Sequence, residues 1–136
     1  MTTTETAPAA TGTLLEKTAD LVVLGVPGTD YRIHLKPTAP VAAEVGDRIR
    51  GVIRAHARRI DICHTGGAYI DPVYGRPRNI QGRVIGADLR AGSIVVKAAV
   101  PFVTRLRSPQ RPDDFPAGEL VTFAIDPGAT FTPIES

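Results

Sequence analysis

The sequence predicts an all-β fold: a small barrel, or two packed half-barrels built from two similar hairpin-plus-strand halves. Three observations carry this. Val, Ile, Thr, Gly and Pro are frequent, a composition that fits pleated, half-buried strands better than helices. The 12 prolines and 13 glycines are spread along the chain as turn signals and cut it into short segments. Inside those segments apolar and polar residues alternate. A hydrophobic content of 43% is enough for a packed interior in one domain of this length.

Residues 1–12, rich in Thr, Ala and Pro, read as a disordered lead-in, and residues 13–136 as a single all-β domain. Leu21–Val26 is a short apolar run closed by Pro27-Gly28-Thr29-Asp30. Tyr31–Leu35 then alternates, with Tyr31, Ile33 and Leu35 facing in and Arg32 and His34 facing out. Pro37 and Pro40 end this hairpin, and Gly46-Asp47 launches the next segment, Arg48–Ile62. Two readings of that segment compete. As a strand it places Ile49, Gly51, Ile53, Ala55 and Ala57 on one face. Arg48, Arg50, Arg54, His56 and Arg58 fall on the other, with Val52 among them. The phase breaks at Arg58-Arg59, where a bulge or the strand end belongs. As a helix it gives a stripe of Ile49, Val52, Ile53, Ala57 and Ile60, with Asp47 as N-cap. Gly51 and the β-branched residues weigh against the helix, so a strand is expected.

Residues 64–79 form a connector with Tyr69, Ile70, Val73 and Tyr74 pinned against the core. Ile80–Leu89 and Ser93–Val103 read as strands joined at Arg90-Ala91-Gly92, and Pro101 marks an edge or bend in the second. Ser108–Pro116 is a polar loop, Leu120–Ile125 a strand, and Thr130–Ile134 a last short strand. The halves, about 18–63 and 80–134, look alike. Gly46-Asp47-Arg48-Ile49 and Gly118-Glu119-Leu120-Val121 lie 72 residues apart (46 to 118), each after a hairpin and a proline-containing spacer. This Gly-acid-x-apolar pattern resembles the turn-and-strand chemistry of small barrels of the OB-fold or SH3-like kind. The resemblance implies a compact barrel with a binding face, a scaffold that hosts many functions.

Charge is sorted into three blocks. Residues 1–47 carry 3 Lys/Arg and 6 Asp/Glu, residues 48–111 carry 13 and 3, and residues 112–136 carry none and 5. The overall +2 therefore hides a strongly basic centre, which implies an anionic partner: nucleic acid or an acidic protein surface. The candidate ligand-binding residues are Arg48, Arg50, Arg54, His56 and Arg58 on one strand face, extended by Arg76, Arg78 and Arg83. Alternate strand residues stand roughly 7 Å apart, close to the phosphate spacing of a nucleic-acid strand, and arginine forks match phosphate oxygens. The alternative is a solvated outer face. There is no Trp, and Tyr69 and Tyr74 are the candidate stacking residues. A second reading pairs the central arginines with the acidic C-terminal block of another copy, giving a self-associating protein with no ligand.

Other chemistry has little support. His56, Asp61, Cys63 and His64 are metal-ligand types without metal-ligand spacing, so no metal is expected. Adjacent Cys63 and His64 point apart on an extended chain and make a poor nucleophile–base pair. Thr65-Gly66-Gly67-Ala68 lacks the Lys-Ser/Thr of a phosphate loop. No cofactor is expected, and the protein reads as non-enzymatic. No apolar run is long enough to span a bilayer and the N-terminus has no signal-peptide pattern. The lone Cys63 fits a reducing compartment, so a cytoplasmic location is expected.

Overall fold

The computed structural model describes residues 8–134. These residues are all-β. The strands are β1 (Ala10–Lys17), β2 (Val22–Gly25), β3 (Arg32–Pro37), β4 (Arg48–Cys63), β5 (Tyr69–Asp71) and β6 (Tyr74–Gly75). After them come β7 (Asn79–Asp88), β8 (Ser93–Lys97), β9 (Pro101–Arg105), β10 (Leu120–Ile125) and β11 (Thr130–Pro133). One short 3-10 turn covers Pro112–Asp114, and among the described residues no helix is long and apolar enough to cross a membrane.

Arg48–Cys63 is one strand, so the helical alternative fails. A helix would have left Gly51 in its interior and placed Arg48, Arg50 and Arg54 around the cylinder. The strand instead buries Ile49, Gly51, Ile53, Ala55 and Ala57 and exposes the arginines. The phase break at Arg58-Arg59 is a bulge. Ala57 pairs with Ile125 and Ile60 with Phe123, so two β4 residues oppose the single Ala124. That extra residue returns Ile60 to the interior.

Three expectations need correction. The disordered lead-in was expected to run to residue 12, but Ala10–Gly12 belong to β1, which pairs with both β2 and β4. Residues 1–7 of that segment lie outside the described residues. The core-facing positions of β1 are Ala10, Gly12 and Leu14, and two of these are too small to register as an apolar alternation. Gly12 has to be small, because a Cβ there would overlap the carbonyl of Gly25 and the Leu24 side chain. Next, Ser93–Val103 is two antiparallel strands, β8 and β9, rather than one. The chain reverses at Ala98–Val100, where Ala98 N–H donates to Val100 O (3.1 Å). Pro101, with no N–H to give, opens the returning strand. Last, the connector contains β5, which pairs with β7, and β6, which runs parallel to β3. Ile70 is buried there, but Tyr69, Val73 and Tyr74 are exposed.

The strands form one mixed sheet in the order β1-β2-β3-β11-β4-β10-β7-β8-β9, with added pairings β1–β4 and β4–β9 that close it partly into a ring. Two circuits of pairings result. One runs β1-β2-β3-β11-β4 and back to β1; the other runs β4-β10-β7-β8-β9 and back to β4. The parallel contacts are β3–β11, β3–β6 and β4–β9. A single hydrophobic cluster runs through both circuits, from Leu14, Leu24 and Ile33 through Ile53 and Phe131 to Ile94, Phe102 and Phe123.

Two close approaches fix this packing. A Cβ on Gly51 would overlap the buried ring of Phe131, and one on Gly82 would overlap the backbone carbonyl of Lys97. Gly51→Ala and Gly82→Ala should each destabilise the fold by about 1–3 kcal/mol in urea denaturation. Phe131→Leu should recover part of the loss in Gly51→Ala. No side-chain substitution at Lys97 should rescue Gly82→Ala, because the obstacle there is backbone.

Candidate basic face

The row on β4 is built by alternation. Arg48, Arg50, Arg54, His56 and Arg58 are all exposed, and the gap at Val52 is a buried residue opposite Thr132 of β11. From Arg48 to Arg58 the row covers roughly 30 Å of strand. Pairing register then extends it sideways, since residues opposite each other on neighbouring strands share a face. Lys36 of β3 lies beside Thr130 of β11, and Thr130 lies beside Arg54. Two strand spacings separate Lys36 from Arg54, roughly 10 Å. On the other edge of β4, Val103 lies beside Arg54 and Arg105 beside His56.

Specific contacts hold parts of this face. Arg54 Nη1 donates to Thr132 Oγ1 (3.0 Å), and that hydroxyl pairs with Thr38 Oγ1 (2.8 Å). Asp126 reaches Arg58 Nε (3.0 Å) with one oxygen and Arg107 Nη2 (2.9 Å) with the other. One carboxylate thus offsets two guanidiniums at the C-terminal end of the row. Among the described residues, Arg48, Arg50 and Arg54 form no ion pair.

The remaining candidates fall elsewhere. Arg83 donates Nη1 to Gly118 O (2.9 Å) at the β7–β10 contact, away from the row. Arg78 is exposed just before β7, with its backbone tied to Asp71 and Ile125. Tyr69 sits beside Gln81 of β7 and is partly exposed. Tyr74 joins β3 instead: its ring lies 5.2 Å from that of His34 at 55°, and the Arg32 guanidinium stands 5.5 Å from its centroid. Arg76 follows it and lines a cleft with His34 and Lys36. Tyr74 and Arg76 are therefore gathered beside β3 and Tyr69 and Arg78 lie at β7, with none of the four on β4.

Arg32, Lys36, Arg105 and Arg107 were not among the residues expected to contribute. The alternation Arg32-x-His34-x-Lys36 was available in the sequence as a second outward basic row. Arg105 and Arg107 carried no such signal, because they reach the face only through the parallel β4–β9 pairing and the shared Asp126. Cys63 Sγ lies 3.6 Å from Gln81 Oε1, and His64 is exposed. Among the described residues no three His, Cys, Asp or Glu side chains gather in a metal-binding group. No protein-family model matches this chain, and neither a curated protein nor a solved structure matches it significantly.

The Asp126 bridge gives a direct test of the face. Asp126→Asn should lower stability by no more than about 1 kcal/mol in urea denaturation, because both arginines are 59% exposed. It should bind a heparin column more tightly than Asp113→Asn. That control removes the same charge from the separate pair with Arg111.

Proposed function

We propose that the protein is a non-catalytic small-barrel binding module whose basic outer face, centred on β4, holds an anionic partner: nucleic acid or an acidic protein surface. The observation that carries this reading is the β4 row, five exposed basic side chains on one face, widened by Lys36 and Arg105 on the adjoining strands. Because Tyr74 is engaged with His34 and Arg32, contact through phosphates or carboxylates is favoured over base stacking.

The same proposal reads the two circuits as two half-barrels built from two similar units. Recurring register supports it. Gly46 N–H donates to Leu14 O (2.7 Å) and Leu14 N–H to Asp47 O (2.9 Å). In the second unit Gly118 N–H donates to Val84 O (2.8 Å) and Val84 N–H to Glu119 O (2.9 Å). The pairing of β1 with β2 shifts between Leu14 and Glu16, and that of β7 with β8 between Val84 and Gly86. Gly12 faces the carbonyl of Gly25 as Gly82 faces that of Lys97. The closing strand also matches: β11 runs parallel to β3 as the middle of β4 runs parallel to β9. On this reading each unit lends its last strand to the other.

Fluorescence polarisation with labelled single-stranded and duplex oligonucleotides, and with an acidic peptide, tests the binding. Affinity should fall steeply with added salt. Replacing Arg50 and Arg54 with Gln should flatten the logarithmic salt slope by about one per lost phosphate contact. Absence of binding to any of the three probes at low salt ends the reading.

A second reading, self-association of basic and acidic blocks, draws support from Asp126, which pairs an acid of the C-terminal block with two central arginines. It predicts a concentration-dependent dimer that dissociates as salt rises. Sedimentation showing a monomer under all conditions would discard it.

A further inference from the structure

A cleft of about 320 Å³ opens between β3, the connector ahead of β7 and the turn that follows β10. No β4 residue lines it, and Lys36, which widens the β4 face, is the residue the two share. His34 and Lys36 enter it from β3, two positions apart on the outward face of that strand, and Arg76 enters from the connector. Leu21 and Pro127 supply apolar wall, and Asp20 is the carboxylate of the lining.

Three features give this cleft the character of a built site. The elements that form it are tied together by backbone hydrogen bonds. Lys36 N–H donates to Ala129 O (3.0 Å), and Arg32 N–H donates to Val73 O (2.8 Å). These bonds hold the turn after β10 and the connector on opposite parts of β3. The His34 ring is set against Tyr74, whose ring also carries the Arg32 guanidinium. Finally, Lys36 and Arg76 have no carboxylate partner among the described residues, and His34 Nε2 is shut off from solvent without a hydrogen bond.

We propose that this cleft binds one compact oxyanion, the phosphoryl group of a phosphate monoester. The Arg76 fork and the Lys36 ammonium supply charge-assisted donors, and Arg matches two phosphate oxygens at once. His34, its ring set against Tyr74, is part of the wall. The volume is at the small end of ligand clefts, roughly 300–1,000 Å³, which suits a terminal phosphate or free monoester and excludes the body of a duplex. Asp20 repels the anion and holds affinity down. The proposal goes beyond the β4 reading and stands even if the row binds nothing.

Titration of the full chain with inorganic phosphate in chloride buffer, followed by amide NMR shifts, is the test. One saturable site is expected, with a dissociation constant on the order of millimolar or tighter. Its shifts should centre on His34, Lys36, Arg76 and Gly128. Lys36→Gln and Arg76→Gln, both at exposed positions, should each weaken binding about tenfold, and Asp20→Asn should tighten it. Arg50→Gln should leave it unchanged, which separates this site from the β4 face. Unaltered shifts outside the cleft show that each variant is folded. A non-saturating response spread along the arginine row, or binding indifferent to Lys36 and Arg76, overturns the proposal. An oligonucleotide with a 5′-phosphate, compared with its 5′-hydroxyl form, then identifies the source. A phosphate-dependent gain that Arg76→Gln abolishes assigns the end of a strand, and equal affinities assign a free monoester.

Discussion

Both edges of β4 are occupied, and by four different strands. β1 takes Arg48–Gly51 and β9 takes Ile53–His56; β11 takes Gly51–Arg54 and β10 takes Ala57–Cys63. Backbone N–H and C=O groups in a core must be paired, and here one strand provides the pairing for both circuits. Neither circuit closes without it. Removing β4 from one would strip partners from the other, so the two should open together as one cooperative unit. The bulge at Arg58-Arg59 lets a strand of this length serve both, because it bends the chain and restores the inward phase at Ile60.

That constraint also explains why the positive charge lies outside. A strand paired on both edges has two faces left. One points into the shared core and carries Ile49, Gly51, Ile53, Ala55 and Ala57; several are small because two circuits crowd the same strand, most tightly where Phe131 fills the space over Gly51. The other face meets water, where arginine is tolerated and its stem covers backbone. Thr132 on β11 and Asp126 just after β10 then orient individual guanidiniums. The basic face is therefore ordered by the same pairings that hold the fold.

Local chemistry was legible in the sequence where it repeats at short range. The alternation of Arg48–Arg58, the break at Arg58-Arg59 and the limits of Leu120–Ile125 could all be read from neighbouring residues. The strand Ala10–Lys17 could not, because Ala10 and Gly12 are small core-facing residues, and Gly12 is small for a reason set by Leu24 and Gly25, more than ten residues away. The lateral spread of the basic face was also hidden. It depends on which strands are neighbours. Contacts such as Thr38 to Thr132 join residues 94 apart, with no local pattern to announce them. The aromatic and basic character of Tyr74 and Arg76 is plain in the sequence, but their position beside β3 follows from the connector's path and not from their own sequence context.

Beyond His56 the edge of β4 runs past the end of β9, and a side chain takes over from the missing strand. Gln110 accepts from Ile60 N–H (2.8 Å) and donates its amide to Ile60 O (2.7 Å), the same two bonds a neighbouring backbone residue would make. An exposed, unpaired strand edge is a template on which another chain can add. By occupying donor and acceptor at Ile60 together, a single amide takes that residue out of the template.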